Sequence, residues 1–152
     1  MTCLSPTIAD TRPAAVHPTA NVYDGEIGDG TTVAADVEIG GAWVGRDWKI
    51  QVVTSIPPGI TIEDRVFIGP HVCFTNCRLP SAEPGFRSEP TLVRTGAVIG
   101  AGACLGPGIT VGRGAMVAMG SVVDRDVPNE HVYSGRPEQF TLKPWYRSQA
   151  DP

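Results

Sequence analysis

The sequence predicts an all-β fold, a parallel β-helix built from hexapeptide repeats, and three observations carry that prediction. Between Val93 and Val123, aliphatic residues stand at Val93, Ile99, Leu105, Val111, Val117 and Val123, each six residues after the last. Four residues after each of the first five comes a small or β-branched residue: Ala97, Ala103, Ile109, Ala115 and Ser121. Glycine directly follows Ile99, Leu105 and Val111. Neither a helix, with its period of about 3.6, nor a simply alternating strand produces a strict six. A sustained period of six is the pattern of a β-helix. Each hexad is then one short strand and a turn, and three hexads close one triangular coil. The first position fills the interior, and the fifth points inward with less room. Stacked coils pair strand to strand at roughly 4.8 Å, which satisfies the backbone between coils.

Composition agrees. A chain of 152 residues is one domain by length. Its 18 glycines recur in register, so low complexity is not their explanation. A net charge of −4 gives no reason to expect nucleic acid as a partner. No apolar run is long enough to span a bilayer, and Met1–Ala15 has no basic-then-apolar leader, so the expectation is a soluble, cytoplasmic protein. Cys3, Cys73, Cys77 and Cys104 have no secretory context and read as free thiols.

In order along the chain, residues 1–15 lack periodicity and read as a cap or arm over the open end of the helix, an otherwise exposed sheet edge. The β-helix occupies 16–127. Its rungs run Val16, Val22, Ile27, Val33 and Ile39, then Val44 after a one-residue deletion, then Ile50, Ile56, Ile62, Ile68 and Phe74. Trp48 falls where small residues are usual, which predicts a locally swollen coil. Pro57-Pro58-Gly59 and Gly69-Pro70 suit corners. The ladder stops after Phe74, and the loop 75–92 carries three prolines and four charged residues before Val93 resumes the pattern. An irregular excursion of that length inside a compact repeat is usually functional, the plain alternative being a tolerated surface insertion. Val127-Pro128 closes the last coil, and 128–152 is a C-terminal tail folded back along the outside.

From Ile27 to Pro137 the chain resembles the hexapeptide-repeat acyltransferases with left-handed β-helices. Ile68-Gly-Pro-His-Val-Cys-Phe-Thr-Asn76, the proline-rich loop, Pro90-Thr-Leu-Val93, Ile99-Gly-Ala-Gly-Ala103 and Ala118-Met-Gly-Ser-Val-Val123 are similar to the N-acetyltransferases of nucleotide-linked amino sugars. That resemblance implies a left-handed hand, a homotrimer with sites between subunits, acetyl-CoA as co-substrate and a dTDP- or UDP-linked amino sugar as acceptor. Two departures stand out. The tail reads Gly135-Arg-Pro-Glu-Gln139 where relatives commonly have Gly-Asn-Pro-Ala and a basic residue, so a CoA contact is lost or passes to Arg136. His71 stands where asparagine is frequent.

Acetyl transfer to an amine needs a neutral amine, an electrophilic thioester and donors for the developing oxyanion. By the resemblance Asn76 hydrogen-bonds the sugar or the reacting groups; the plain alternative is an asparagine that holds a turn. His71 has the chemistry of a general base at neutral pH, or is simply a surface corner residue. Without it, the departing CoA thiolate can take the amine proton. Glu89 can receive a sugar hydroxyl or the substrate ammonium, and Arg78 and Arg87 suit a nucleotide diphosphate. Small corner residues Gly100, Ala101, Ala118 and Met119 would leave room for pantetheine, with Arg125, Arg136 and Lys143 for the CoA phosphates. No metal is expected. Cys73 and Cys77 are loosely spaced with no second close pair, and His17, His71 and His131 are too scattered for the metal chemistry of the γ-carbonic anhydrases on this fold. Two rivals remain: a sugar or polysaccharide O-acetyltransferase with His71 as base, and a non-catalytic β-helix scaffold.

Overall fold

A strand of two residues cannot satisfy its own backbone and needs a neighbour on each side. In the computed structural model, which describes residues 12–80, 82, 85, 87–135 and 140–142, those neighbours are the strands one coil below and one coil above. Successive strands pass in turn to a first, a second and a third sheet of eight, six and five strands. The first sheet stacks Ala15–Val16, Thr32–Val33, Lys49–Ile50, Phe67–Ile68, Val98–Ile99, Met116–Val117 and His131–Tyr133, all parallel. The second stacks Asn21–Tyr23, Glu38–Gly40, Ser55–Ile56, Cys73–Phe74, Cys104–Leu105 and Val122–Val123. The third stacks Glu26–Ile27, Trp43–Val44, Ile60–Ile62, Thr91–Val93 and Thr110–Val111. Each coil therefore turns a first corner into the second sheet, a second corner into the third, and a third corner back to the first. Among the described residues, no helix is long and apolar enough to cross a membrane.

Register explains the core. Ile68 pairs with Ile99 and Ile99 with Val117, so each rung lies directly on the rung below. Val93, Ile99, Leu105, Val111, Val117 and Val123 are wholly buried, as are Ala97, Ala103 and Ala115 at the fifth position. Burying one such aliphatic contributes roughly 1.5–3 kcal/mol. Trp48 also lies fully inside at a fifth position, its indole Nε1 without a hydrogen-bond partner. Thr31, one coil below, receives the Trp48 backbone N–H on Oγ1 and donates to the Gly45 carbonyl.

The irregularities gather at one corner. The expected deletion between Ile39 and Val44 has a twin between Val22 and Ile27, and both shorten the second corner. Asp24 and Gly41 make these tight turns with φ of 50° and 54°, the left-handed region that a short side chain or none adopts at least cost. The long excursion leaves from this same corner. It is shorter than 75–92 at its far end, because Thr91 and Leu92 already pair with Ile60 and Thr61.

The ladder also runs one rung past Val127. Val127 bridges to Val111, and Tyr133 then stacks over Val117, buried, with its hydroxyl donating to the Val122 carbonyl at 2.9 Å. The step from Val123 to Val127 is four residues instead of six and the next rung, six further on, is aromatic, which hides it in the sequence. Phe140–Leu142 then reverses to pair antiparallel with His131–Tyr133. Most of the expected N-terminal cap, and the tail beyond 142, lie outside the described residues.

The third corner is braced by side chains. The Glu63 carboxylate accepts from the Thr95 backbone N–H and hydroxyl, both at 2.9 Å, linking the coils on either side of the excursion. These bonds, the backbone one foremost, hold its pKa below the ordinary 4.5. A depressed carboxylate stabilises the fold above its unfolded pKa and loses that contribution as pH falls through the folded value. Glu63→Gln should therefore flatten the acid side of the melting-temperature profile below about pH 4.5, read by thermal denaturation across pH. Val117→Asp should abolish folding, since an unpaired carboxylate inside the coil costs several kcal/mol. Soluble Val117→Asp protein with an unchanged melting temperature would contradict the rung assignment. Asp124→Ala, on an exposed side chain, should leave the melting temperature unchanged.

Candidate active site

The first corner of the upper coils forms an open wall. Gly102 donates its backbone N–H to the Pro70 carbonyl at 2.9 Å and Gly120 to Ala101 at 2.8 Å, so His71, Gly102 and Gly120 occupy one vertical column. All three are left-handed, with φ of 58°, 67° and 68°. Histidine is among the side chains found there more often than most. The His71 side chain is exposed. A Cβ added at Gly102 or Gly120 would meet nothing within 4 Å, so the wall above His71 is bare backbone. Ala101 and Met119 flank it, Met119 being 81% exposed. Gly100 plays another part. A Cβ there would lie 2.5 Å from the Met119 nitrogen and 2.7 Å from the Val117 carbonyl, so coil spacing itself requires glycine. Room along this corner comes from Gly102 and Gly120, which the sequence reading passed over. Their φ is the signal for them, and it belongs to the folded corner.

The second corner carries the neck of the excursion. Thr75 Oγ1 donates to the Leu105 carbonyl at 2.9 Å, tying the neck to the coil above. Asn76 Nδ2 donates to the Pro58 carbonyl at 3.0 Å, tying it to the coil below. Glu89 returns to close the neck, its backbone N–H donating to the Asn76 carbonyl at 2.9 Å. Asn76 thus braces the corner with its amide nitrogen. Arg78 and Glu89 are joined to each other at 3.4 Å, and Arg78 Nη2 also donates to the Pro107 carbonyl at 3.1 Å. Gly108 gives the Glu89 carboxylate its place, since a Cβ there would stand 2.9 Å from Oε2. Arg87 is exposed on the returning limb.

The sequence candidates therefore divide between two corners. His71, Ala101, Ala118 and Met119 belong to the first; Asn76, Arg78 and Glu89 belong to the second. Strand Cys73–Phe74 joins the two corners, with His71 before it and Asn76 after it. Arg125 sits on the second corner, away from Met119, and its guanidinium holds the Asp124 carboxylate at 2.9 Å, depressing that group's pKa. Arg136 and Lys143 lie outside the described residues. Among the described residues, no group of three or more His, Cys, Asp or Glu side chains could hold a metal ion.

No protein-family model matches the chain, and no curated protein matches its sequence. Solved structures do share its fold. The chain is similar to a histidine-to-alanine variant of GDP-perosamine N-acetyltransferase from Caulobacter crescentus, in complex with CoA and GDP-perosamine. That match has a TM-score of 0.73 and 25% identity, and covers 88% of this chain and 58% of the other. AntD, an N-acyltransferase from Bacillus cereus in complex with dTDP and coenzyme A, matches with a TM-score of 0.75 and 17% identity over 93% and 89% of the two chains. The acetyltransferase domain of PglB from Neisseria gonorrhoeae matches with 0.73 and 22% over 86% and 58%. The last two agree with this chain in fold, and the chain spans less than two thirds of the first and third.

The neck geometry sets an expectation for Asn76. Asn76→Ala removes the bond to Pro58 and should cost about 1 kcal/mol, lowering the melting temperature by roughly 2–4 °C. Differential scanning calorimetry would show it; an unchanged transition would mean that the neck is held without Asn76.

Proposed function

We propose that this chain transfers the acetyl group of acetyl-CoA to the amine of a nucleotide-linked amino sugar. The observation that carries the reading is the similarity in fold, at 25% identity over 88% of the chain, to an N-acetyltransferase bound to CoA and a nucleotide amino sugar. The local geometry supports it. The bare corner of Gly102 and Gly120, flanked by Ala101 and Met119, offers pantetheine a backbone wall. Asn76 Oδ1, Glu89 and the arginines of the excursion suit the sugar and its diphosphate. In the reaction, the neutral amine attacks the thioester carbonyl, the carbon–sulfur bond breaks, and the CoA thiolate leaves with the amine proton. Positioning sets the barrier, because a deprotonated amine is already nucleophilic. Since Arg78 pairs with Glu89 in the free protein, a bound diphosphate would compete for Arg78 and release the carboxylate for the sugar. Acetyl-CoA dependence suits the cytoplasm.

The working form is a homotrimer. Within one chain the two half-sites stand at different corners, and a neighbouring copy would bring the second beside the first. An outward apolar row supports such packing: Phe67, Val98, Met116 and Val132 lie in register along the first sheet. Met116→Lys should split the trimer into monomers with activity reduced at least tenfold, read by light scattering and turnover together. A fully active monomer would defeat the intersubunit site and leave the fold intact.

O-acetyl transfer is the second reading, favoured by the placement of His71 in the same column as Gly102 and Gly120. A base so close to the thioester would serve a hydroxyl acceptor, for which general-base assistance is typically worth 10²–10⁴-fold. With an amino-sugar nucleotide and acetyl-CoA, Asn76→Ala should lose more turnover than His71→Ala, and His71→Ala should lose less than about tenfold. A collapse of roughly 10²-fold or more confined to His71→Ala would move the assignment to the hydroxyl reading. Turnover unaffected by either variant would favour the scaffold.

A further inference from the structure

On the outer face of the second sheet, Cys73 and Cys104 are direct register partners in neighbouring parallel strands. Both are free thiols, Cys73 exposed and Cys104 half-buried. Neighbouring strands lie about 4.8 Å apart, inside the roughly 4.4–6.8 Å between Cα atoms that a disulfide spans. The Cys73 thiol itself donates to the Phe74 carbonyl at 3.7 Å. We propose that Cys73 and Cys104 form a dithiol modification site, which a low-molecular-weight disulfide oxidises to an intramolecular disulfide between successive coils.

The exchange balances. One cysteine thiolate attacks a sulfur of the reagent, forms a mixed disulfide and releases one reagent thiol. The second cysteine loses its proton, attacks the mixed disulfide and releases the other half. Two protein thiols are oxidised, and one reagent disulfide becomes two thiols. The second step is local because register holds the partner sulfur beside the first.

Parallel neighbours project their Cβ atoms side by side at about the strand spacing, whereas a disulfide favours roughly 3.5–4.5 Å. Closing the bond must draw the two coils together, and strained disulfides of this kind reduce readily. The pair is therefore reversible. Its position gives it reach, because strand Cys73–Phe74 runs straight into Thr75 and Asn76 at the neck of the excursion. Burial, and then the neighbouring Cys104, push the Cys73 thiol above the ordinary 9.0. Oxidation should accordingly be slow at neutral pH and keep accelerating as pH rises past that value.

The proposal is independent of acetyl transfer, and its test uses no substrate. The full-length protein is incubated with excess glutathione disulfide, alkylated, digested and analysed by mass spectrometry. The expected product is a cross-link between the peptides that carry Cys73 and Cys104, lost on adding dithiothreitol and kept in Cys77→Ser. In Cys104→Ser the glutathione adduct should persist on Cys73, since no second thiol stands in register to displace it. Cross-linking of Cys73 to Cys77 instead would overturn the proposal, as would separate adducts or intact thiols in the unsubstituted protein.

Discussion

Every part of this molecule answers to one constraint: strands two or three residues long are satisfied only by the strands above and below them. A coil that differed in size from its neighbours would break bonds on three sheets at once. Rungs must then repeat in line, as Ile50, Ile68, Ile99 and Val117 do along the first sheet. Turns must be tight and must leave the backbone of the next coil unobstructed. Left-handed residues recur at the corners for that reason, as glycine at Gly102 and Gly120 and as Asp47, Arg65 or His71 where the side chain can project outward.

With the sheets held this rigidly, variation is confined to the corners, and each has its own character. The third is cross-braced by polar side chains, Asp64 receiving the Arg46 backbone N–H, Glu63 those of Thr95, and Asn129 that of Arg113. The first is bare in its upper coils, where Gly102 and Gly120 present backbone to solvent. The second absorbs both shortened turns and the long excursion. Length changes are tolerated there because the strands on either side keep their partners, whatever the chain does between them. A site at such a corner combines a fixed platform with an adaptable cover.

The same rigidity limits what one chain can assemble. Strand Cys73–Phe74 separates His71 on the first corner from Asn76 on the second. On the first sheet, the apolar row of Phe67, Val98, Met116 and Val132 runs outward in register. The coupling between Arg78 and Glu89 has a related meaning. Two groups read separately in the sequence as phosphate and amine ligands hold each other.

By itself the sequence determined the repeat, the rungs from Val33 to Val123, the inward fifth positions and the place where the ladder is interrupted. These are legible because each rung is a local demand, six residues from the last, that any polar side chain would violate at a cost of several kcal/mol. The excursion at Thr75 is legible for the same reason, as a lapse in that demand. Only the tertiary structure decided which corner each residue occupies, since that depends on how coils of unequal chain length close on one another. It placed the shortened turn at Val22–Ile27 on the same corner as the excursion, put Tyr133 over Val117, and parted His71 from Asn76. It also separated Gly100, demanded by coil spacing, from Gly102 and Gly120, which leave a wall open. They differ in what lies across the coil, which at Gly100 is backbone 17 to 19 residues away along the chain and at Gly102 and Gly120 is open space.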